Sequence, residues 1–271
     1  MIGEAASGAA TNAATHPLVE FREVVKSFDG NRVLDCLNLT INAGEKVVLI
    51  GPSGSGKTTI LRILMTLEKP DGGVVYLDGQ PLWHRQRGEG LVPADAQHLR
   101  RMRSQVGMVF QQFNLFPHMN ALQNVTEALV QVKRTPRREA DQLGRELLAQ
   151  VGLGDRADAY PWQMSGGQQQ RVAIARAIAL APRVLLCDEV TSALDPELIG
   201  EVLQVLHDLA KASDVTMLIV THQMAFARDI ADRVLMFDKG SVIEQDSPDQ
   251  VLDAPTHERT RKFLQAVHGA A

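Results

Sequence analysis

Short apolar runs, set between polar turns and longer stretches of mixed character, organise the chain from about Leu18 onward. Residues 18–25 alternate partly between apolar and polar, which predicts a strand, and Asp29-Gly30 predicts the turn after it. Residues 47–50 are continuously apolar and run into a glycine-rich loop, with a helix expected from about Lys57. An unbroken apolar strand that feeds a loop and a helix belongs in a parallel sheet covered on both faces. Residues 106–110, 184–187 and 217–220 have the same character, with a helix expected between the last two. Val74-Val75-Tyr76-Leu77 followed by Asp78-Gly79 predicts a strand and turn of an antiparallel section, and residues 88–93 read as a polar loop. From about residue 119 to 151 the spacing is helical, interrupted at Thr135-Pro136, and a further amphipathic helix spans 168–180 before Ala181-Pro182. Residues 234–237 and 241–245 flank Asp238-Lys239-Gly240 as a hairpin, with short helices after it. Strands alternating with helices predict an α/β fold, with an antiparallel β subdomain and a helical subdomain near residues 114–164.

Composition adds boundaries to this picture. With 271 residues, 45% hydrophobic and 22% charged, the chain can fill a substantial core. A net charge of −4 offers no basic field for nucleic acid. Cys36 and Cys187 have no neighbouring cysteine, which gives neither a disulfide framework nor a zinc spacing and suits a reducing compartment. No stretch reaches the ~18 consecutive apolar residues of a membrane span. Residues 1–16 lack a basic start and an apolar run, so they read as a mobile tail rather than a secretory signal, leaving 17–271 as a single domain. Service at a membrane would therefore require docking onto another chain.

Three motifs carry chemistry. Gly51-Pro52-Ser53-Gly54-Ser55-Gly56-Lys57-Thr58 fits G-x-x-x-x-G-K-[ST] and sits between the strand and helix that this motif needs. Its glycines let the backbone wrap phosphate oxygens, the helix turns its positive end toward them, Lys57 adds a charge, and Thr58 offers a hard oxygen for Mg²⁺. The strand 184–187 ends in Asp188-Glu189. Adjacent strand residues face opposite ways, so Asp188 is placed to hold Mg²⁺ and Glu189 to activate the attacking water. Finally, Met164-Ser165-Gly166-Gly167-Gln168-Gln169-Gln170-Arg171 opens a helix with a hydroxyl and two glycines, a second phosphate grip. One nucleotide does not need both grips from one chain. Two copies arranged head to tail would lay the grip of one over the nucleotide of the other.

In kind and order these motifs resemble those of the ABC transporter ATPase family, whose signature is usually L-S-G-G-Q; the resemblance runs over about residues 18–263. It implies a P-loop NTPase fold of the ABC ATPase type, with ATP and Mg²⁺ bound. Phe28 matches the aromatic that stacks on adenine, and Ser53, Gly54, Ser55, Gly56, Lys57, Thr58 and Thr59 match the phosphate-binding loop. Ser165, Gly166, Gly167 and Gln168 match the signature, and Asp195, in Ser192-Ala193-Leu194-Asp195, the loop that crosses between protomers. Gln111 matches the glutamine that senses Mg²⁺ and the permease, and His222 the histidine that contacts the γ-phosphate. Catalysis would then fall to Glu189, His222 and Gln111, and metal binding to Thr58, Gln111 and Asp188. The other histidines, His16, His84, His98, His118, His207, His257 and His268, read as surface or packing residues. Three positions depart from the pattern: Met164 replaces Leu, Cys187 occupies an apolar strand slot, and Val190 stands where the family commonly has Pro.

Within the family, Gln111-Gln112-Phe113-Asn114-Leu115-Phe116-Pro117-His118 resembles the permease-docking segment of polar amino-acid importers, as does the insertion at 83–103. Residues 64–70 and 79–84 are most similar to ATPases assigned to ectoine and hydroxyectoine uptake. The implied partners are a second copy or a homologous ATPase, membrane permease subunits and, indirectly, an extracytoplasmic solute-binding protein. The implied place is the cytoplasmic face of the inner or plasma membrane. A non-transport ABC ATPase working as a regulatory switch remains open. A P-loop kinase also remains open, but it leaves the signature unexplained.

Overall fold

The computed structural model describes residues 17–268. Residues 1–16, read above as a tail, lie outside the described residues, as does the side chain of His268. The chain enters through β1 (Val19–Phe28) and β2 (Asn31–Ile41), followed by β3 (Lys46–Ile50), α1 (Lys57–Leu64), β4 (Gly72–Leu77) and the short β5 (Gln80–Pro81). A hairpin of β6 (His84–Arg87) and β7 (Gly90–Pro93) precedes α2 (Ala96–Arg103) and β8 (Val106–Val109). Helices α3 (Ala121–Gln131), α4 (Arg137–Gln150) and α5 (Gly166–Ile178) lead to β9 (Val184–Asp188), α6 (Pro196–Ala212), β10 (Thr216–Val220) and α7 (Met224–Ile230). The chain closes with β11 (Arg233–Asp238), β12 (Ser241–Asp246), α8 (Pro248–Asp253) and α9 (Glu258–His268).

Among the described residues, six strands form the central sheet in the order β12-β11-β3-β10-β9-β8, parallel except for β12. A second, antiparallel sheet runs β2-β1-β4-β5. The pleat explains the continuous apolar runs. Along β3, Val48 and Ile50 pack into one core with the α-helices, while Val47 and Leu49 pack into a second core beneath the antiparallel sheet. Strands β3, β8, β9 and β10 are covered on both faces and are apolar almost throughout, whereas the edge strand β12 is partly exposed and polar. No described helix is long and apolar enough to cross a membrane.

Three local readings are corrected by the structure. The loop expected at 88–93 is part of the β6–β7 hairpin, whose sequence is too polar to announce a strand. β2 was not expected at all: its apolar residues Leu34, Leu37, Leu39 and Ile41 pair unevenly across a bulged register with β1, which blurs the period of two. Helix α5 begins at Gly166, two residues before the expected start, because Ser165 caps it in a reciprocal box with Gln168.

Candidate active site

Parallel strands share one carboxyl edge, and ligands of open α/β sheets bind outside that edge. Register puts Asp188 beside Val220 and Val220 beside Leu49. The segments leaving β3, β9 and β10 therefore emerge side by side: the glycine-rich loop, Glu189, and Thr221-His222.

The loop is fixed by its backbone. A Cβ on Gly51, whose φ is 144°, would fall 2.0 Å from the Phe237 carbonyl oxygen. The next strand thus presses on the loop, and the Gly240 N–H donates to the Ser55 carbonyl at 3.1 Å. Gly51→Ala is expected to lower the melting temperature by at least about 4 °C and to abolish nucleotide binding, read by thermal melting and ATP titration.

Inside the loop, the Lys57 ammonium donates to the carbonyls of Gly51 at 2.7 Å and Pro52 at 2.8 Å, leaving one N–H for a ligand. Burial pushes the Lys57 pKa down, and the Glu189 and Asp188 carboxylates partly restore it. The Thr58 hydroxyl donates to Asp188 Oδ1 at 2.9 Å. Burial holds the Asp188 pKa above the usual carboxylate range; the Thr58 hydrogen bond opposes this, and the Glu189 charge adds to it. Ser55 Oγ is buried without a hydrogen-bond partner among the described residues, as suits a cradle for a polar ligand.

Glu189 does not continue the strand. Its φ is 44°, and its N–H donates to the Val220 carbonyl at 3.0 Å. A left-handed turn, rather than the strand pleat of the sequence reading, sends the two acids apart. Glu189 Oε1 lies 3.1 Å from His222 Nε2, and Glu189 Oε2 accepts from the Ser192 hydroxyl at 3.2 Å. The Ser192 contact escaped the sequence reading because it depends on this turn. Val190 is buried in the helical-side core, as is Met164, and Cys187 lies there with its pKa pushed up to about 12 by burial, an inert thiol.

A cavity of about 280 Å³ unites Phe28, Val33, Ser53, Gly54, Gly56, Lys57, Thr58, Thr59 and Glu189. Val33 was missed with its strand. A larger cleft of about 510 Å³, lined by Leu18, Ile178, Leu185 and Leu209 among others, is mostly apolar and contains none of the motifs.

The remaining candidates lie apart. Gln111 is exposed on the segment after β8 and does not line the cavity. Ser165 and Gln168 cap α5, and Gly166 and Gly167 begin it, packed toward Leu194 and Leu198. Asp195 is exposed at the start of α6 and makes no side-chain cap bond. None of these residues lines the cavity that holds the glycine-rich loop.

A family model described as ABC transporter matches residues 34–192. A “probable amino-acid ABC transporter ATP-binding protein” of Sinorhizobium fredii is 54% identical, aligned over 92% of this chain and 97% of its own. An arginine transport ATP-binding protein of Corynebacterium glutamicum is 48% identical over 92% of this chain and 98% of its own. Among solved structures, a dimeric post-hydrolysis state of the ATP-binding cassette MJ0796, bound to ADP and Pi, superposes with a TM-score of 0.74. It is 36% identical and covers 85% of this chain and 98% of that one.

Proposed function

The chain belongs to the ABC transporter family as an ATP-binding subunit of the amino-acid importer type, and on that premise we propose that two copies close head to tail on ATP and drive uptake through a separate permease. Residues 17–271 act in this reading as one cassette, with 114–164 as its helical subdomain, seated peripherally on the cytoplasmic face of the membrane. The observation that carries the reading is the Glu189–His222 contact at the phosphate cavity, together with a signature that lies outside that cavity. Ser165, Gly166, Gly167 and Gln168 then serve the partner's nucleotide, and Asp195 helps to bridge the two copies.

Glu189 takes the proton of the attacking water, and His222 orients Glu189 and faces the γ-phosphate. Phe28, exposed at 39%, stacks on the base. The paired hard oxygens of Thr58 and Asp188 fit Mg²⁺ and would hold it, and the ion would supply positive charge to offset that of the phosphates. Gln111 joins them only if the segment after β8 moves inward as the pair closes. Hydrolysis removes the phosphate that bridges the copies and shifts the population back toward the open pair.

For coupling, a groove of about 430 Å³ is lined by Gln112, Phe113, Leu115, Pro117, Pro161 and Gln169, among others. Leu115 packs against the helical-side core, whereas Phe116 is 44% exposed beside this groove. Phe116→Asp is expected to lower uptake about tenfold or more by placing a charge in an apolar contact. The free subunit should keep its melting temperature and ATP affinity; loss of fold would instead make Phe116 a packing residue.

The solute proposed is a polar amino acid or a related compatible solute such as ectoine, supported by the segments 64–70 and 79–84. The solute does not pass through the motor, so vesicles carrying the chain, its permease and its solute-binding protein provide the test. ATP-dependent uptake of labelled ectoine is expected. Uptake of amino acids alone would remove the ectoine assignment, and no uptake of either would remove the importer reading.

A further inference from the structure

Phe28 and Lys26 stand two residues apart at the end of β1, where the pairing with β2 is bulged. The Lys26 ammonium lies over the Phe28 ring, 4.9 Å from its centroid. It is held there from behind, donating to the Lys69 carbonyl at 2.9 Å and to Asp71 Oδ1 at 3.4 Å, with Glu68 at 3.8 Å. Asp71 also accepts the Ser27 N–H at 2.7 Å, which ties the backbone between the two residues to the same carboxylate. That N–H is the main reason the Asp71 carboxyl stays below its ordinary pKa, with Lys26 adding to the effect. The Lys26 side chain is only 12% exposed. A long, flexible cation is thus immobilised against a ring that is itself substantially open.

The two residues line different spaces. Phe28 faces the phosphate cavity with Val33 and the glycine-rich loop. Lys26 lines a neighbouring cleft with Lys69, Asp71 and His84, and is absent from the cavity. A ligand that reaches this point from the cavity meets the ring and not the ammonium.

We infer that Lys26 is a positioning residue for the nucleotide base: its ammonium holds the Phe28 ring from one side so that the ring's other side can stack on a purine. A cation over an aromatic ring is attracted by the negative face and draws electron density toward itself. The opposite face becomes less repulsive to the π-cloud of an incoming base, and stacking gains. The contact also removes rotational freedom from a ring that is 39% exposed, so less order has to be imposed when the base arrives. The inference rests on the proposed role of Phe28, and it adds the residue that prepares that ring. A purely structural Lys26 would only pin β1 to the 68–71 segment, and its loss would cost stability whatever the ligand.

The test uses the full chain and four forms: wild type, Lys26→Met, Phe28→Ala and the double variant. Binding of ATP and of inorganic triphosphate, which has no base, is measured alongside thermal melting. Lys26→Met keeps the unbranched stem of the side chain and removes its ammonium. It is expected to weaken ATP binding about three- to tenfold and to leave inorganic triphosphate binding unchanged. In the Phe28→Ala background the same change should add nothing, because the ring through which it acts is gone. Equal weakening for both ligands, or an undiminished effect in the Phe28→Ala background, overturns the inference. So does normal ATP binding by Lys26→Met when Phe28→Ala is impaired, a result that leaves the role of Phe28 standing. Normal ATP binding by Phe28→Ala removes the base-stacking reading itself, and the inference with it.

Discussion

Glu189→Gln is expected to reduce steady-state ATP hydrolysis by about 10²- to 10⁴-fold, the usual worth of a positioned general base. The change keeps the size of the side chain and its ability to hydrogen bond. Glutamine can still meet His222 Nε2 and accept from the Ser192 hydroxyl, so the left-handed turn at 189 should survive. What disappears is the proton acceptor at the edge of the cavity. ATP affinity should change little, because the phosphate contacts belong to the loop and to Lys57. With ATP bound and not consumed, the closed pair should accumulate. Phosphate release, ATP titration and size-exclusion chromatography measure the three consequences. Turnover near the wild-type rate, measured with the permease present, would take the base assignment away from Glu189.

Lys57→Ala should fail at an earlier step, with ATP binding weakened about 100-fold or more. Charge-assisted hydrogen bonds contribute about 1.5–3 kcal/mol each, and a phosphate would take at least one from this ammonium. Lys57 is 4% exposed, and burial disfavours its charge in the free protein. A triphosphate relieves that cost, which makes the residue matter more to the bound state than to the free one. Alanine is a good first residue for α1, so the melting temperature of the nucleotide-free chain should hold. Isothermal titration with ATP separates this variant from Glu189→Gln: the first loses binding, the second turnover. Binding close to wild type would mean that the loop backbone alone holds the phosphates.

Much of this protein is written locally. The glycine-rich loop, the acids after an apolar strand, and the serine and glycines that open α5 are each contiguous. The cap that starts α5 is completed by a neighbour three residues on, whereas it is the Phe237 carbonyl of β11 that reserves position 51 for glycine. The buried strands were legible too, since a strand covered on both faces must be apolar at every position. Residue types could not give the order in which those strands pair. That order was decided by long-range packing, and it brings Thr58 to Asp188 across 130 positions and His222 to Glu189 across 33. β2, with bulges that spoil its alternation, and the polar β6–β7 hairpin also became visible only through their partners. The turn that sends Glu189 away from Asp188 is stabilised by an N–H bond to β10, a strand distant in sequence. Nothing in the sequence motifs marks Lys26. Only the chain at 68–71, folding back over the end of β1, sets its ammonium against Phe28, because a flexible side chain takes a single direction only when groups from elsewhere in the fold hold it there.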